Sequence, residues 1–468
     1  MLPDTFSVTC HTDYVGRGST FVAIPGTRLD GTRFVAHAIE KGARRIVVQN
    51  SADLSRDARE AIVRAGVRLQ EACDCRVALA QLSAAATDHA HRKLRIIGIT
   101  GTKGKTTTAY LLEQILRGCG LRVALLSTVA KRIDGKEVAG SRLTTPPADW
   151  LHQFFAQSVA VGIDYVVMEV AAQAVTQHRV AGIEFDGLIF TNLALEHLEF
   201  YQSMEEYFTA KAALFSRAKA EAPLLINSDD EWGRRLLAHH PRAIDIGRSV
   251  VSINGNRCDV VDVGCLWDGA QKRFVCPSLC GYFNGVNLYG ALCMARALGL
   301  NANNVAGALE KFPGIPGRLQ RHQLPNGAVG IIDYAHNPLS FEAVLSTLRP
   351  MTRQLIVVFG AGGDRDPSRR AQMGNIAARY ADHIVLTSDN PRTEDPAAII
   401  EDIFTGMSET DRSKVSRELD REAAIRYAYR LSCNGAILAL LSKGPDEYQI
   451  VGDRVTRFSE REILESLA

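Results

Sequence analysis

Residues 98–108 read Gly-Ile-Thr-Gly-Thr-Lys-Gly-Lys-Thr-Thr-Thr, after the apolar Arg95-Ile96-Ile97 and before Thr107-Thr108-Ala109-Tyr110-Leu111-Leu112. Strand, glycine turn and helix in that order make a phosphate cradle. Gly101 and Gly104 permit the tight turn and the close backbone approach. The amides at the helix start, flanked by Thr102, Lys103 and Thr107, donate to a polyphosphate. Lys105 brings a point charge, and Thr106 a hydroxyl ligand for Mg²⁺. The usual spacing has a glycine where Ile99 stands, so the loop is a variant; the glycine, lysine and threonine that carry the chemistry are present. Consumption of ATP is the expectation.

A loop of this kind needs a sheet beneath it. Apolar runs at Arg122–Leu126, Tyr165–Met168, Gly187–Phe190 and Leu224–Ile226 alternate with helical spacing at Trp150–Val161 and Met204–Phe215. That alternation predicts a largely parallel sheet covered on both faces, with ligands at the carboxyl ends of its strands. Ahead of it, Phe21–Ile24, Phe34–Ile39 and Arg45–Val48 read strand, helix, strand, and the polar Asp88–Lys93 separates the two parts. Lys311-Phe312-Pro313-Gly314-Ile315-Pro316-Gly317 cannot continue a helix and reads as a hinge. Beyond it, strands are predicted near Gly330–Asp333, Gln354–Phe359, His383–Leu386 and Ala436–Leu440. The fold class is therefore α/β, in three domains: a small N-terminal α/β domain at 1–92, a central mononucleotide-binding parallel sheet at 93–313, and a C-terminal Rossmann-like α/β domain at 314–468.

Lys+Arg 54 against Asp+Glu 52 leaves a net charge of +2, without a like-charge run that could follow a nucleic-acid backbone or a membrane surface. Small-molecule substrates are expected, with no nucleic acid and no membrane partner. No apolar run approaches the roughly 20 residues that span a bilayer, and the start lacks a basic segment followed by an apolar stretch. A cytosolic monomer is expected. Ten cysteines form no zinc-type spacing, so reduced thiols are expected.

Several stretches, in order, resemble the Mur ligases, most closely the branch that adds the third peptide residue to a cell-wall precursor. They are TGTKGKTTT at 100–108, TTP at 144–146, MEV at 168–170, QHR at 177–179, FTN at 190–192, MEEYFTAKAALF at 204–215, FN with a second Asn at 283–287, PGR at 316–318, DYAHNP at 333–338, GAGGDRD at 360–366, SDNPRTEDP at 388–396 and KGPDEYQIVG at 443–452. The resemblance implies ATP-dependent amide formation through an acyl phosphate. It implies that Lys105 stabilises charge on the transferring phosphoryl group. Thr106 and Glu169 match a first Mg²⁺ site, while His197 and a carbamylated Lys211 match a second. Asn284, Asn287, Arg318, Asp333 and His336 match positions that hold adenine, ribose and the terminal phosphate. Thr144, Thr145, Gln177 and Arg179 match peptide- and sugar-facing positions of a nucleotide-linked dipeptide acceptor.

Asp389-Asn390-Pro391-Arg392 resembles the loop of ligases that add meso-diaminopimelate, and Arg365 matches a second arginine used on that amino acid. A guanidinium offers paired donors to the far carboxylate that lysine lacks. Departures gather on the acceptor side. His11-Thr12-Asp13 stands where Asp-Ser-Arg is usual, leaving Thr12 as the acceptor-facing hydroxyl, and Ala171-Ala172-Gln173 stands where Ser-Ser-His is usual. Ser442 and Asp446 replace a Gly and a Glu of the amino-acid site. Three readings stay open: a ligase joining diaminopimelate to UDP-MurNAc-L-Ala-D-Glu, a relative joining a similar amino acid to another carboxylate in specialised metabolism, and a non-catalytic nucleotide-binding scaffold.

Overall fold

Ile96, Ile97 and Ile99 are fully buried because their strand, Arg95–Thr100, runs through the middle of an eight-stranded sheet covered on both faces. The computed structural model describes residues 2–26, 29–50, 52–138, 141, 143–194, 200–247, 252–253 and 260–467. They divide into two compact units, Met1–Val251 with Asn287–Ala308, and Ser252–Val286 with Leu309–Ala468. The division into 1–92, 93–313 and 314–468 is kept as a proposal.

In the first unit the large sheet has the order Ile244–Asp245, Leu224–Ile226, Gly187–Phe190, Arg95–Thr100, Tyr165–Glu169, Val123–Leu126, Lys131–Ile133, Lys136–Glu137. Its first six strands are parallel, and the last two form an antiparallel meander at the edge. Register brings the carboxyl ends level: Thr100 pairs with Phe190, Ile99 with Glu169 and Leu126 with Met168. Helix Lys105–Gly118 packs on Val123–Leu126 and Tyr165–Glu169 through Leu111, Leu112, Ile115 and Leu116. An aromatic cluster that includes Trp150, Phe154, Phe155, Phe185, Phe190 and Tyr207 fills one side.

A four-stranded parallel sheet, Val8–Thr9, Thr20–Ala23, Arg45–Gln49 and Arg68–Ala72, belongs to the same unit. It is tied to the larger one through buried Asp149, whose Oδ2 accepts from Thr9 Oγ1 (2.8 Å) and from the Cys10 amide (3.0 Å). The stretch read as a polar separator is not wholly solvated. Residues Ala90–Lys93 form a 3₁₀ turn in which His91 is buried against His152 of helix Ala148–Ala160, ring centroids 5.0 Å apart.

The second unit carries a six-stranded sheet in the order Gln320–Gln323, Val329–Asp333, Ile437–Leu441, Leu355–Phe359, His383–Leu386, Val415–Arg417. Only the first pairing is antiparallel. The expected hinge at 311–317 is non-helical, with positive φ at Gly314 and Gly317. Among the elements not expected are strand Arg68–Ala72, the hairpin Val261–Trp267 and Ala270–Cys276, and the hairpin Tyr448–Val451 and Arg454–Arg457. Arg68–Ala72 and the last hairpin are polar and largely exposed, so no apolar period marks them. No described helix is long and apolar enough to cross a membrane.

Candidate active site

The glycine loop leaves the middle strand and enters helix Lys105–Gly118 with Gly101 at φ 143° and Gly104 at φ 86°. A side chain at Gly101 would run into Thr191 Oγ1, and one at Gly104 into the amide of Asn287. The next strand end clamps the loop from outside. Thr102 N donates to Asn192 O (2.8 Å), Lys103 N to Asn192 Oδ1 (2.9 Å), and Thr191 Oγ1 to Lys103 O (2.6 Å). Thr107, one residue into the helix after Thr106, is buried. Lys105 folds back over the loop, its Nζ donating to the carbonyls of Gly101 (2.8 Å) and Thr102 (3.0 Å).

Glu169, at the end of the neighbouring strand, is 1 % exposed. Its Oε1 accepts from Thr106 Oγ1 (2.9 Å), Ser127 Oγ (2.6 Å) and Thr128 N (3.0 Å), and its Oε2 from Thr128 Oγ1 (3.1 Å). Every donor is neutral and every side-chain atom is a hard oxygen. The 2.9 Å between Thr106 and Glu169 matches adjacent corners of an octahedron with bonds of about 2.0–2.1 Å, so these two residues fit Mg²⁺. Sequence reasoning missed Ser127, Thr128 and Lys131. Lys131 is buried beside this cluster, its Nζ donating to Ser127 O (3.3 Å); burial lowers its pKa, opposed by the Glu169 charge. That Ser127 and Thr128 follow the adjacent strand end was the available signal.

Lys211, on helix Met204–Ala212, is 1 % exposed and donates to the same Gly101 carbonyl (2.8 Å) that holds Lys105, with its Nζ 4.6 Å from the Tyr207 ring centre. His197 lies outside the described residues. Of the acceptor candidates, Thr144, Thr145, Gln177 and Arg179 come together. Thr145 Oγ1 donates to Glu169 O (3.0 Å), Arg179 Nη1 to Thr145 O (2.8 Å), Arg179 Nη2 to Gln177 Oε1 (2.7 Å), and Thr144 Oγ1 meets Thr128 Oγ1 (2.9 Å). Arg179 has its pKa lowered by burial and by Arg76. Thr12 lies in a 3₁₀ turn, Thr12–Tyr14, half-buried.

In the second unit the strand ends again carry the candidates. Asp333 closes strand Val329–Asp333, and its carboxylate accepts from the amides of Leu319 and Ala335, each at 2.8 Å. Arg318 lies over the Tyr334 ring (4.9 Å), and His336 Nδ1 contacts Tyr334 O (2.7 Å). Asn284 Nδ2 donates to Cys280 O (2.8 Å) at the start of helix Tyr282–Ala297. Ser442, at φ 83°, donates to Gly360 O (2.7 Å). Arg392, at φ 53°, follows Pro391; its guanidinium donates to Gly363 O and its amide to Ile450 O (3.1 Å). Arg365 is exposed on the facing loop. Asp389 and Asn390 are buried, and burial together with the Asp389 charge raises the Asp446 carboxyl above the ordinary range. Lys443, which the sequence reading did not single out, is fully buried among them.

Known proteins align with this arrangement along the whole chain. The family profile described as Mur ligase family, catalytic domain, matches residues 7–87; Mur ligase middle domain matches 99–295; Mur ligase, glutamate ligase domain, matches 317–444. Relatives from Nostoc sp. (38 % identical; 96 % of this chain, 90 % of theirs) and Gloeobacter violaceus (38 %; 98 % and 94 %) are both named UDP-N-acetylmuramoyl-L-alanyl-D-glutamate--2,6-diaminopimelate ligase. A solved structure under that ligase name is 25 % identical, with a TM-score of 0.65 over 99 % of this chain and 94 % of its own. The MurF ligase from Thermotoga maritima in complex with ADP shares the fold at 17 % identity, with a TM-score of 0.67 over 94 % of each chain.

Proposed function

The chain belongs to the Mur ligase family, and from that premise we propose that it spends ATP to join meso-diaminopimelate to UDP-MurNAc-L-Ala-D-Glu. The observation that carries the reading is the Thr106–Glu169 contact beside a glycine loop that ends in Lys105. The acceptor carboxylate attacks the terminal phosphorus of ATP, ADP leaves, and an acyl phosphate forms. The amine then attacks the acyl carbon, the tetrahedral intermediate expels phosphate, and the amine loses its proton to complete the amide.

Each step has residues suited to it. The loop from Gly101 to Thr107 wraps the phosphates, the amides at the helix start donating to their oxygens while those of Thr102 and Lys103 stay on Asn192, and Lys105 leaves its carbonyl seats to meet the charge that develops during transfer. Thr106 and Glu169 would hold Mg²⁺, which offsets charge on the phosphoryl oxygens. Lys211, with His197, is proposed for a second cation. A lysine amine that takes up CO₂ becomes a carbamate with oxygen donors, and the buried Lys211 Nζ lies on the loop carbonyl of Gly101 where such a group would serve a cation. Asn284, Asn287, Arg318, Asp333 and His336 are assigned to the nucleoside and terminal phosphate. Thr12, Thr144, Thr145, Gln177 and Arg179 are assigned to the acceptor, and Arg365, Asp389, Asn390, Pro391, Arg392, Ser442 and Asp446 to the amino acid. The proposal keeps small-molecule substrates and a cytosolic monomer.

A second carboxylate acceptor is not favoured, since the relatives that match nearly the whole chain carry one ligase name. The changes at 11–13 and 171–173 are then differences in how one acceptor is gripped. A phosphate-release assay with ATP, Mg²⁺, the nucleotide dipeptide and a panel of amino acids tests the reading. Release that requires both the dipeptide and meso-diaminopimelate is expected; no release with any pair of acceptor and amine overturns it.

A further inference from the structure

Lys443 is a lysine with no access to solvent, seated under the loop that carries Asp389, Asn390 and Arg392. Its Nζ donates to Tyr448 O (2.8 Å) and to Asn390 Oδ1 (3.2 Å), lies 3.4 Å from Asp389 Oδ1, and faces the Phe458 ring at 5.4 Å. The Ile450 amide also donates to Asn390 Oδ1 (3.0 Å). An ammonium and a peptide N–H can only donate, so the atom on which they converge must be the amide oxygen. The rotamer ambiguity that usually attends an asparagine is thereby removed. Among the described residues both hydrogen bonds of the Asn390 side chain fall on Oδ1, which turns its two N–H donors toward a ligand.

We propose that Lys443 is a positioning residue: it locks the Asn390 side chain so that only N–H groups meet the amino-acid substrate, making this position a reader of carboxylate and not of ammonium. The inference rests on the assignment of Asn390 to the amino-acid site. It deepens that assignment by separating two duties within one loop. Asn390 joins Arg392 in reading negative charge, while Asp389 and Asp446 are left to read the substrate's amine. Lysine, which has no far carboxylate, would leave the Asn390 donors without an acceptor. A site that expects a hydrogen bond rejects the analogue lacking it strongly.

Neighbouring buried groups hold the same scaffold. Arg421, with no solvent exposure, pairs with Glu460 (2.8 Å) and donates to Ser388 O (3.2 Å) and Leu441 O (2.7 Å). Those carbonyls lie directly before Asp389 and Ser442. Both strand ends that feed the site are therefore pinned to one guanidinium, and Lys443 acts inside a frame already fixed in space.

The test is a double-mutant cycle on the full chain, K443M with N390A, supplemented by N390D and read by substrate KM values and by thermal melting. K443M is expected to raise KM for the amino acid at least tenfold, with KM for ATP within twofold. In the N390A background, adding K443M should change that KM by less than twofold. N390D keeps an oxygen toward Lys443 while removing both donors; it should melt no lower than wild type yet bind the amino acid at least tenfold more weakly. Should K443M fail to fold, N390D alone decides, because an ammonium-reading amide would make it bind the amine as well or better. Multiplicative effects of K443M and N390A, or an unchanged KM in N390D, overturn the inference. A wild type inactive with diaminopimelate defeats the functional reading alone, because the melting arm of the cycle, where coupling between the two sites is expected and its absence overturns the inference, uses no substrate.

Discussion

Arg392 adopts a left-handed backbone that costs a residue with a Cβ about 1–2 kcal/mol, and it is held there by hydrogen bonds from both sides of its peptide, to Ile450 O and from Gly452 N (2.6 Å). A strained arginine fixed this way suits a position where direction matters more than charge. Arg392→Ala should raise KM for meso-diaminopimelate by about a hundredfold, the equivalent of losing a charge-assisted pair, and leave any residual rate with lysine within about threefold. Steady-state kinetics with the two amines check the selectivity. Lys211→Ala should abolish turnover, and millimolar acetate or propionate should restore part of it by supplying the missing oxygens; full activity of the unrescued variant would remove Lys211 from the mechanism. Both residues were singled out through the family resemblance of the motifs around them, 204–215 and 388–396. Lys443 and Ser127 were not, because a lysine or hydroxyl in sequence does not announce whether it will be buried, and Thr128, exposed beside Ser127, is brought to the site only by the level strand ends.

At the scale of elements, the turn from strand to helix decides whether the nucleotide can approach. Gly104→Ala would place a methyl against the Asn287 amide while holding φ at 86°. We expect ATP affinity to fall at least tenfold by equilibrium titration, with a loss of stability of about 1–3 kcal/mol. Most strands of both large sheets could be read from apolar runs, since a strand buried on two faces has no polar alternation to blur it. His383–Leu386, Leu224–Ile226 and Gly187–Phe190 fall where expected, and others differ by a residue. The hairpin Val261–Trp267 and Ala270–Cys276 escaped notice although its turn is Asp268-Gly269 with both φ positive, a strong hairpin signal. Helix Met204–Ala212 stops short of the expected Phe215, where a 3₁₀ turn, Phe215–Arg217, takes over.

For the whole molecule, the seam between the small and large sheets of the first unit is the acid-sensitive place. Burial pushes His152 down to about 3 and His91 down to about 4, and both imidazoles have ring nitrogens with no hydrogen-bond partner among the described residues. Both folded values lie below the unfolded one, so below about pH 6.5 the unfolded chain takes up protons that the folded chain refuses, and stability falls with pH. Two such groups contribute a slope that approaches about 2.7 kcal/mol per pH unit near pH 5 and lessens toward pH 4 and pH 6. Denaturant midpoints measured across that range should drop steeply, and His152→Phe should flatten the drop by about half. The polar look of residues 88–93 hid this, because two histidines in a basic stretch read as solvent-facing until helix Ala148–Ala160 covers one of them.

The clamp that Thr191 and Asn192 place on the glycine loop has a consequence for biosynthesis. The loop emerges from the ribosome roughly 90 residues ahead of the two side chains that shape it, and strand Arg95–Thr100 must wait for both of its partners, Tyr165–Glu169 and Gly187–Phe190. Contacts so distant along the chain form late. Nascent chains arrested before residue 192 has cleared the exit tunnel should therefore have no nucleotide affinity, which stalled complexes of increasing length probed with a fluorescent ATP analogue would register.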